Sequence, residues 1–317
     1  MARDDLPVTV IGAGIAGLAC ARRLREAGVD VQVRDRGRAP GGRLGSRTLH
    51  GRPVDLGASY LTASDASPFA AVVGDWLERG LVRPWTDTFS VVGPEGFRER
   101  TSGPMRYGTP AGTRSLAADL AADLDVVQGF PVQAVRTGPS VDGRDVRAAV
   151  LAMPGPQAAR LLDPSDPAAG LVAGEEWEPA LAVVLGWPAR RWPADLHGAF
   201  VHDDPSVGWI ADDGDRRGDA APVLVAHTTA PLAAAHLADP AGAVPAVVAS
   251  VRAALGITDD PAWTEVHRWT FARPASPRDE PFGLVDGIGL CGDGWRAPSK
   301  VESAWTSGDA LGRALAG

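Results

Sequence analysis

A strand, a glycine-rich turn and a helix near the start of the chain limit its possible folds more than any other feature. Residues 6–11 are apolar and β-branched, which predicts a strand, and a G-x-G-x-x-G pattern begins directly after it at Gly12. Residues 15–27 place apolar side chains at helical spacing, and residues 29–34 alternate valine with polar residues. The three segments together predict a βαβ unit of the kind that binds dinucleotides.

The glycines of this pattern have different physical roles. Gly12 permits the tight turn from strand to helix, Gly14 lets the backbone approach a diphosphate, and Gly17 lets the helix pack against the strand. The diphosphate then faces the N-terminus of the helix, where free N–H groups and the helix dipole favour negative charge. Asp35 follows at the spacing expected for an acid that binds ribose hydroxyls, which argues against a 2′-phosphate and hence against NADP.

Later segments point to FAD in particular. Gly41-Gly42-Arg43 is a second glycine turn, able to bring backbone and a guanidinium to the diphosphate or the flavin edge. Residues 55–58 (Asp-Leu-Gly-Ala) follow it, and Gly292-Asp293 precedes a helix that is predicted to start near Lys300-Val301. Taken alone, each segment is also compatible with a plain turn or surface loop, so the prediction of a flavin site depends on their combination.

On this interpretation Asp293 binds the ribityl hydroxyls of FAD. The N–H of Val301 binds the pyrimidine edge of the flavin, where reduction places negative charge that the helix dipole favours. The predicted cofactor-binding residues are Gly12, Gly14, Ile15, Ala16, Gly17, Asp35, Arg36, Gly42, Arg43, Gly57, Ala58, Ser59, Val132, Met153, Gly292, Asp293, Lys300, Val301 and Ala304.

The order of these segments predicts an α/β fold with a discontinuous, Rossmann-type FAD-binding domain. Strand-like runs between the segments predict an inserted substrate domain of α+β character with a mixed sheet. The FAD-binding domain is assigned residues 1–68, 106–160 and 278–317, and the substrate domain residues 69–105 and 161–277. Residues 212–219 are polar and predict an exposed hairpin or loop.

The combined motifs resemble the FAD-dependent amine oxidase superfamily, which includes monoamine and polyamine oxidases, phytoene-type desaturases and renalases. The motifs that carry this resemblance are the glycine pattern from Gly12 to Gly17, Asp35, Gly41-Gly42-Arg43, Asp55-x-Gly57-Ala58, Ala152-x-Pro154, Gly292-Asp293 and residues 300–304 (Lys-Val-Glu-Ser-Ala). Within the superfamily the chain looks most like renalase, on its short length and on residues 55–61, 80–84, 224–231 and 267–269.

The resemblance implies a backbone contact from Val132 to the adenine, and it implies a reaction as well as a cofactor. In this superfamily a substrate C–H gives a hydride to the flavin N5, and renalases oxidise the 2- and 6-dihydro isomers of NAD(P)H and pass the electrons to oxygen. The diphosphate of such a substrate is expected at the pocket mouth, with arginines supplying charge. No cysteine lies where monoamine oxidases attach flavin, because Cys291 directly precedes the Gly-Asp turn, so noncovalent FAD is implied.

Four residues are candidates for contacting the substrate. Tyr60 follows the glycine turn that should approach the flavin, His227 ends a strand of the substrate domain, and Trp269 and Trp295 lie beside cofactor motifs. A histidine at a strand end is also a common structural residue, and most tryptophans, such as Trp76 at helical spacing, belong to a core.

Composition excludes several functional classes. The formal net charge of -8 argues against nucleic acid and anionic membranes as partners, and there is no apolar run long enough to span a bilayer. The two cysteines have no metal-ligand spacing, so no metal is expected, and the cytoplasm is the default location. Two alternatives stay open: an oxidase or desaturase of an amine or biosynthetic intermediate, and a flavin-binding protein without turnover.

Overall fold

The computed structural model of the protein describes residues 5–317. Its strands are β1 (Val8–Ile11), β2 (Val31–Asp35), β3 (Ser46–Leu49), β4 (Arg52–Asp55), β5 (Arg83–Gly93), β6 (Gly96–Gly108), β7 (Asp125–Gln128), β8 (Val135–Arg136), β9 (Ser140–Val141), β10 (Arg144–Asp145), β11 (Ala148–Leu151), β12 (Trp177–Gly186), β13 (Gly198–Val201), β14 (Val207–Asp212), β15 (Val223–Thr228), β16 (Trp263–Pro274), β17 (Gly283–Val285) and β18 (Ile288–Leu290). Its helices are α1 (Ile15–Glu26), α2 (Phe69–Glu78), α3 (Arg114–Ala121), α4 (Gly155–Ala158), α5 (Pro167–Gly170), α6 (Asp213–Arg217), α7 (Ala230–Ala235), α8 (Val244–Leu255) and α9 (Val301–Ala316), with a 3-10 helix over Pro240–Ala243.

The first sheet confirms the predicted Rossmann-type architecture. Its strands lie in the order β17-β18-β11-β1-β2-β7, and every neighbouring pair is parallel except β17 with β18. Helices α1 and α9 pack together very closely, since a Cβ placed on Gly308 would lie 1.9 Å from the carbonyl oxygen of Ala16. The two ends of the chain therefore meet in one core, which is why the FAD-binding domain is discontinuous in sequence.

The second sheet is the predicted mixed sheet. Its order is β16-β12-β15-β14-β13-β5-β6, with β13 and β5 parallel and the other pairs antiparallel. Side chains such as Val183 and Leu224 on one face pack with Val247 and Val251 of α8 in a buried apolar cluster. Other residues of this sheet, described below, line a cavity that also reaches the first sheet.

The packing of α2 corrects the predicted domain boundary at residue 69. Its Phe69 and Trp76 are buried in the same apolar cluster as Leu18 of α1, and the ring of Phe69 lies 5.5 Å from that of Trp305 in α9. This helix therefore belongs to the core of the first sheet and not to the second. An amphipathic helix can bury its apolar stripe against either sheet, so its sequence pattern does not specify the partner.

The structure also overturns the exposed loop predicted over residues 212–219. Residues 213–217 form α6, in which Asp213 and Arg216 are buried, with exposed fractions of 0% and 1%. Charged side chains are almost never fully buried unless they are paired. Here Asp213 pairs with both Arg216 and Arg217, so the polar sequence belongs to an internal ionic cluster.

This ionic cluster joins the two parts of the fold. Asp55 of β4 accepts a hydrogen bond from Arg217 at 3.1 Å and also binds the backbone N–H of Thr113 at 2.8 Å. Arg52 reaches Asp213 at 2.6 Å from the same hairpin of β3 and β4. The cluster therefore ties α6 of the second sheet to β4 and, through Thr113, to the start of α3, whose Leu116 is buried in the core of the first sheet. No helix within residues 5–317 is both long enough and apolar enough to cross a membrane.

Candidate active site

A cavity of about 1770 Å³ lies between the two sheets. On one side its lining includes Ile11 and Asp35, at the carboxyl ends of β1 and β2, and Ala152 just after β11. In open α/β sheets ligands bind at the carboxyl ends of the parallel strands. The volume exceeds the roughly 300–1,000 Å³ of an ordinary small-molecule pocket. The cavity is therefore large enough for a dinucleotide cofactor together with a substrate.

The first three glycines have the surroundings that their predicted roles require. Gly12 has a φ of 112°, and a Cβ there would lie 2.5 Å from the carbonyl oxygen of Ala152. A Cβ on Gly17 would lie 2.0 Å from the carbonyl oxygen of Gly12, so Gly17 is needed for the contact of helix and strand. Around Gly14 there is no atom within 4 Å of a Cβ position, and Gly14 lines the cavity. Its backbone is therefore open to a ligand.

Asp35 joins the first turn to the chain that follows β2. Its carboxylate accepts backbone N–H groups from Ala13 at 2.6 Å and from Gly37 at 2.5 Å. Each carboxylate oxygen has a second lone pair, so Asp35 can still accept hydrogen bonds from ribose hydroxyls. The side chain lines the cavity, as its predicted role needs.

The second glycine turn faces the first one and also reaches the C-terminal segment. Gly41 pairs with Gly14 in an isolated β-bridge. Arg43 binds Asp293 through two parallel hydrogen bonds, one of them 2.8 Å long, and its guanidinium lies 5.0 Å from the ring of Trp177. Asp293 also accepts the Ser299 hydroxyl at 2.6 Å, through Oδ2. Its Oδ1 keeps one lone pair, which is enough for one ribityl hydroxyl.

Helix α9 points its N-terminus at the same cavity. Lys300 is its N-cap and Val301 its first residue, and both line the cavity with Ala304. Lys300 Nζ lies 2.7 Å from Glu302, whose carboxylate also accepts the backbone N–H of Ser64 at 3.1 Å. The unpaired N–H groups of the first helical turn are thus available at the position where we predict the flavin pyrimidine edge.

The structure brings nearly all of the predicted site residues to this cavity. Every predicted cofactor-binding residue lines it except Gly17, which packs beneath the turn. Tyr60, His227 and Trp269 line it too. Trp295 does not, and this corrects its assignment to the substrate pocket: it is 6% exposed and packs in an apolar cluster with Ile288 and Leu290. Nearness to a cofactor motif in sequence did not specify which way the indole turns.

An aromatic wall on the second sheet forms the opposite side of the cavity. Phe200, Trp209 and His227 face one another across β13, β14 and β15, and the row continues through Ala182 to His267 of β16. Directly paired residues of antiparallel strands share one face of a sheet. Trp269, two residues after His267, lies on that face as well, and its Nε1 donates to the carbonyl of Leu56 at 2.7 Å.

Tyr60, which follows the turn at Gly57, packs against this aromatic wall. Its ring lies 5.8 Å from that of Trp209, and Trp209 Nε1 donates to the hydroxyl of Ser59 at 3.0 Å. Arg216 of the ionic cluster donates to the carbonyl of Ser59 at 2.7 Å. The segment that we predict beside the flavin is therefore held in place by both the aromatic wall and a buried arginine.

His227 is an uncharged member of the wall. Burial, followed by the positive charge of Arg216, lowers the pKa of His227 to about 4. Its Nε2 is shielded from solvent and has no hydrogen-bond partner among the residues described. At neutral pH the imidazole is consequently neutral and adds no positive charge to the cavity.

The sequence analysis missed several residues that line the cavity. Phe130 lies under the guanidinium of Arg34 at 5.0 Å, near the predicted adenine end, and no motif marks it. His267 and Phe271 could have been found, because the period of a strand places them on the same face as Trp269. Arg47 and Arg160 carried no signal, since an arginine in a loop or short strand is normally a solvated surface residue.

Comparisons with known proteins agree with this geometry. Residues 10–76 match the model of an NAD(P)-binding Rossmann-like domain, and residues 87–310 match that of the flavin containing amine oxidoreductases. The chain belongs to the flavin containing amine oxidoreductase family. The family is one of flavin-dependent oxidoreductases, so FAD is the cofactor that it implies.

Two relatives match this chain over short segments only. A probable polyamine oxidase 4 of Arabidopsis thaliana is 46% identical over 67 residues, 21% of this chain and 14% of that protein. A hydroxyneurosporene desaturase of Cereibacter sphaeroides is 30% identical over 128 residues, 39% of this chain and 22% of that protein. The matched segments thus span less than a quarter of either relative.

Solved structures match over nearly the whole chain. A putative protoporphyrinogen oxidase from Exiguobacterium sp. 255-15 has a TM-score of 0.78 at 14% identity, covering 98% of this chain and 99% of that one. Cyclohexylamine oxidase from Brevibacterium oxydans IH-35A has a TM-score of 0.77 at 15% identity, with coverage of 98% and 99%. At such low identity these likenesses establish the fold.

The residues present fit the FAD that the family implies. Gly14 and Gly292 leave open space where a Cβ would stand, and both face the cavity. Cys20 and Cys291 are buried, and neither is among the residues that line the cavity. This arrangement supports the prediction that FAD is held noncovalently.

Replacing Asp35 by alanine should weaken FAD binding by roughly 10- to 100-fold. The loss of a hydrogen bond to a charged group costs about 1.5–3 kcal/mol. The measurement is the dissociation constant of FAD from the apoprotein, followed by flavin fluorescence. Asp30→Ala, just before β2 and therefore at its other end, is the control and should bind FAD like the wild type. Wild-type affinity in Asp35→Ala would disprove the ribose assignment.

Proposed function

We propose that this enzyme oxidises a small anionic hydride donor, specifically a 2- or 6-dihydro isomer of NAD(P)H, with oxygen as the electron acceptor. The observation that supports this is the charge of the cavity, which is opposite in sign to the net charge of -8 on the chain. The cations that line it are Arg34, Arg36, Arg38, Arg43, Arg47, Arg114, Arg160, Arg268, Arg273 and Lys300, and the carboxylates are Asp35, Glu178 and Asp293.

These carboxylates are all occupied by partners. Asp35 accepts backbone N–H groups, Asp293 is bound by Arg43, and Glu178 pairs with Arg273. The diphosphate of FAD would neutralise only part of the positive charge. The remainder favours an anionic substrate over a cationic amine.

The aromatic wall suits a flat donor. Rings such as those of Tyr60, Trp209 and Trp269 offer apolar faces against which a planar heterocycle can stack and from which water is excluded. When bound, FAD supplies the acceptor for the hydride. A dihydropyridine gains aromaticity on losing a hydride, so the residues of this chain need to orient it and need not remove a proton. The neutral His227 is compatible with that requirement, because no strong base is called for.

Oxidation of an amine or a biosynthetic intermediate is the second candidate. The same aromatic wall supports it, since aromatic rings also bind ammonium groups. Relatives described as a polyamine oxidase and a desaturase point in the same direction. The two candidates differ in the charge of the substrate, so they can be separated by experiment.

Anaerobic mixing of the yellow holoenzyme with borohydride-generated NADH isomers tests the proposal. We expect rapid bleaching of the flavin by the 2- or 6-dihydro isomer and slow bleaching by ordinary 4-dihydro-NADH. The readout is the flavin absorbance in a stopped-flow instrument, with putrescine and a neutral amine as parallel donors. Reduction of the flavin by an amine, together with no reduction by either NADH isomer, would refute the proposed substrate and support the second candidate function.

A further inference from the structure

We propose that Arg106 is a specificity-determining residue, whose buried positive charge makes the rings of Tyr60 and Trp209 unfavourable for an ammonium group and favourable for an anion. Arg106 lies near the end of β6 and is 7% exposed. The link to a dihydronicotinamide substrate rests on the function proposed above, which needs an anionic donor to be preferred over an amine. The charge selectivity itself does not depend on which substrate the enzyme uses.

Arg106 differs from the other buried arginines of the chain. Arg216 and Arg217 are buried as well, and each of them pairs with the carboxylates of Asp55 and Asp213. Within residues 5–317, Arg106 forms no such ion pair, and its Nη1 is shielded from solvent without a hydrogen-bond partner. A charge is costly to bury without a partner, so the surroundings of Arg106 must supply another kind of attraction.

Aromatic rings take the place of a carboxylate around Arg106. The guanidinium carbon lies 4.0 Å from the ring centroid of Phe89 and 5.9 Å from that of Tyr60. Both distances are within the roughly 6 Å at which the face of an aromatic ring attracts a cation. In addition, a Cβ on Gly103 would lie 3.0 Å from Nη2, so β6 itself packs directly against the guanidinium. The charge is therefore held in one place among these groups.

The same rings connect this charge to the cavity. Tyr60 lines the cavity, whereas Arg106 is not among the lining residues. The ring of Phe89 lies 4.7 Å from that of Trp209, which also lines the cavity. A ligand that stacks on Tyr60 or Trp209 therefore contacts a ring that already has a guanidinium as its neighbour, either directly or through Phe89.

The distance to Tyr60 sets the size of the effect. An ammonium group bound by this ring would lie within about 6 Å of the centroid, and hence no more than roughly 12 Å from the guanidinium of Arg106. With an effective dielectric constant of about 20, two like charges at that separation repel enough to weaken binding about tenfold. An anion at the same place gains a similar factor. Because Arg106 is buried, salt screens its charge less than it screens an exposed arginine.

Binding of three probes to the oxidised holoenzyme, measured by calorimetry, tests the inference without turnover. Benzylammonium, benzyl alcohol and benzoate share one ring and differ in charge. We expect Arg106→Gln and Arg106→Met each to tighten the binding of benzylammonium about tenfold relative to benzyl alcohol, and to weaken that of benzoate by a similar factor. Arg106→Lys keeps the charge and should keep the wild-type ratios of the three affinities.

Arg98→Gln is the matched control, because it removes an exposed charge of the same strand that is paired with Asp203. Its three affinities should equal those of the wild type. Ratios that are the same in the wild type, Arg106→Gln and Arg106→Met would overturn the inference. A parallel change in all three affinities would overturn it as well, because Arg106 would then only pack against the rings.

Reduction of the flavin separates this inference from the proposed function. If an amine reduces the wild type and has a lower KM with Arg106→Gln, Arg106 has the role proposed here and the proposed substrate is wrong. Reduction by a dihydronicotinamide isomer, together with probe ratios that are the same in every variant, would support the proposed function and refute the role of Arg106.

Discussion

Replacing Asp213 by asparagine should lower the free energy of unfolding by about 3–5 kcal/mol, the range seen when one partner of a buried ion pair is removed. Asp213 is fully buried and binds Arg52 at 2.6 Å, Arg217 at 3.1 Å and also Arg216. Without the charge of Asp213, the buried guanidiniums of Arg216 and Arg217 would share Asp55 as their remaining carboxylate partner. Urea-induced unfolding of the holoenzyme, followed by circular dichroism, gives the measurement.

A surface pair provides the control for this prediction. Asp203→Asn removes the partner of Arg98, whose side chain is 43% exposed, and should change the stability very little. The double variant Asp213→Asn/Arg217→Gln restores part of the charge balance, so its loss should be smaller than the sum of the two single losses. Equal stability of Asp213→Asn and Asp203→Asn would show that the cluster does not stabilise the fold.

The same cluster predicts a loss of stability in acid. Burial alone would raise the pKa of Asp213, but the positive charges of Arg216, Arg217 and Arg52 outweigh it and hold this pKa below its usual range. A carboxyl whose pKa is lower in the folded state stabilises the fold above the unfolded value, near 4, and that contribution is lost as the pH falls through the folded value. Asp213→Asn should therefore show a weaker dependence of stability on pH in that acidic range than the wild type.

Replacing Gly57 by alanine should reduce the affinity for FAD by about 100-fold or more. A Cβ on Gly57 would lie 1.9 Å from the carbonyl oxygen of Arg43, a contact that requires the two turns to move apart. Ala58 donates to that same carbonyl at 2.9 Å, so the movement would also break a hydrogen bond at the cavity wall. Overpacking of this kind costs about 1–3 kcal/mol, and lost contacts add to it.

The dissociation constant of FAD from the apoprotein measures this effect. Gly74→Ala is the matched control, because no atom lies within 4 Å of its Cβ position in α2. Alanine there should stabilise the helix slightly, by about 0.5–1 kcal/mol, and leave FAD binding as it is. Unchanged affinity in Gly57→Ala would mean that the turns at Arg43 and Gly57 do not shape the cofactor site.

The cofactor half of the site could be predicted from the sequence because local geometry dictates it. Gly12 takes a positive φ, Gly17 leaves no room for a Cβ beside Gly12, and Gly14 leaves its backbone open to a ligand, so their spacing carries information without any knowledge of the fold. Asp35 is placed by the length of the βαβ unit. The C-terminal segment from Gly292 could be paired with them only through its resemblance to a family, since a Gly-Asp turn has no intrinsic preference for flavin.

The substrate half was decided by tertiary structure. Whether Trp269 or Trp295 reaches the cavity depends on the register and packing of distant strands, and both indoles have similar sequence surroundings. The polar stretch around Asp213 predicted exposure, yet its charges are buried because partners from β4 and α6 meet there. The lining of the cavity is positively charged in a chain of net negative charge, because residues from distant segments meet there as well. Backbone conformation is a local property that a sequence states directly, whereas burial, pairing and electrostatic potential depend on which distant segments come together.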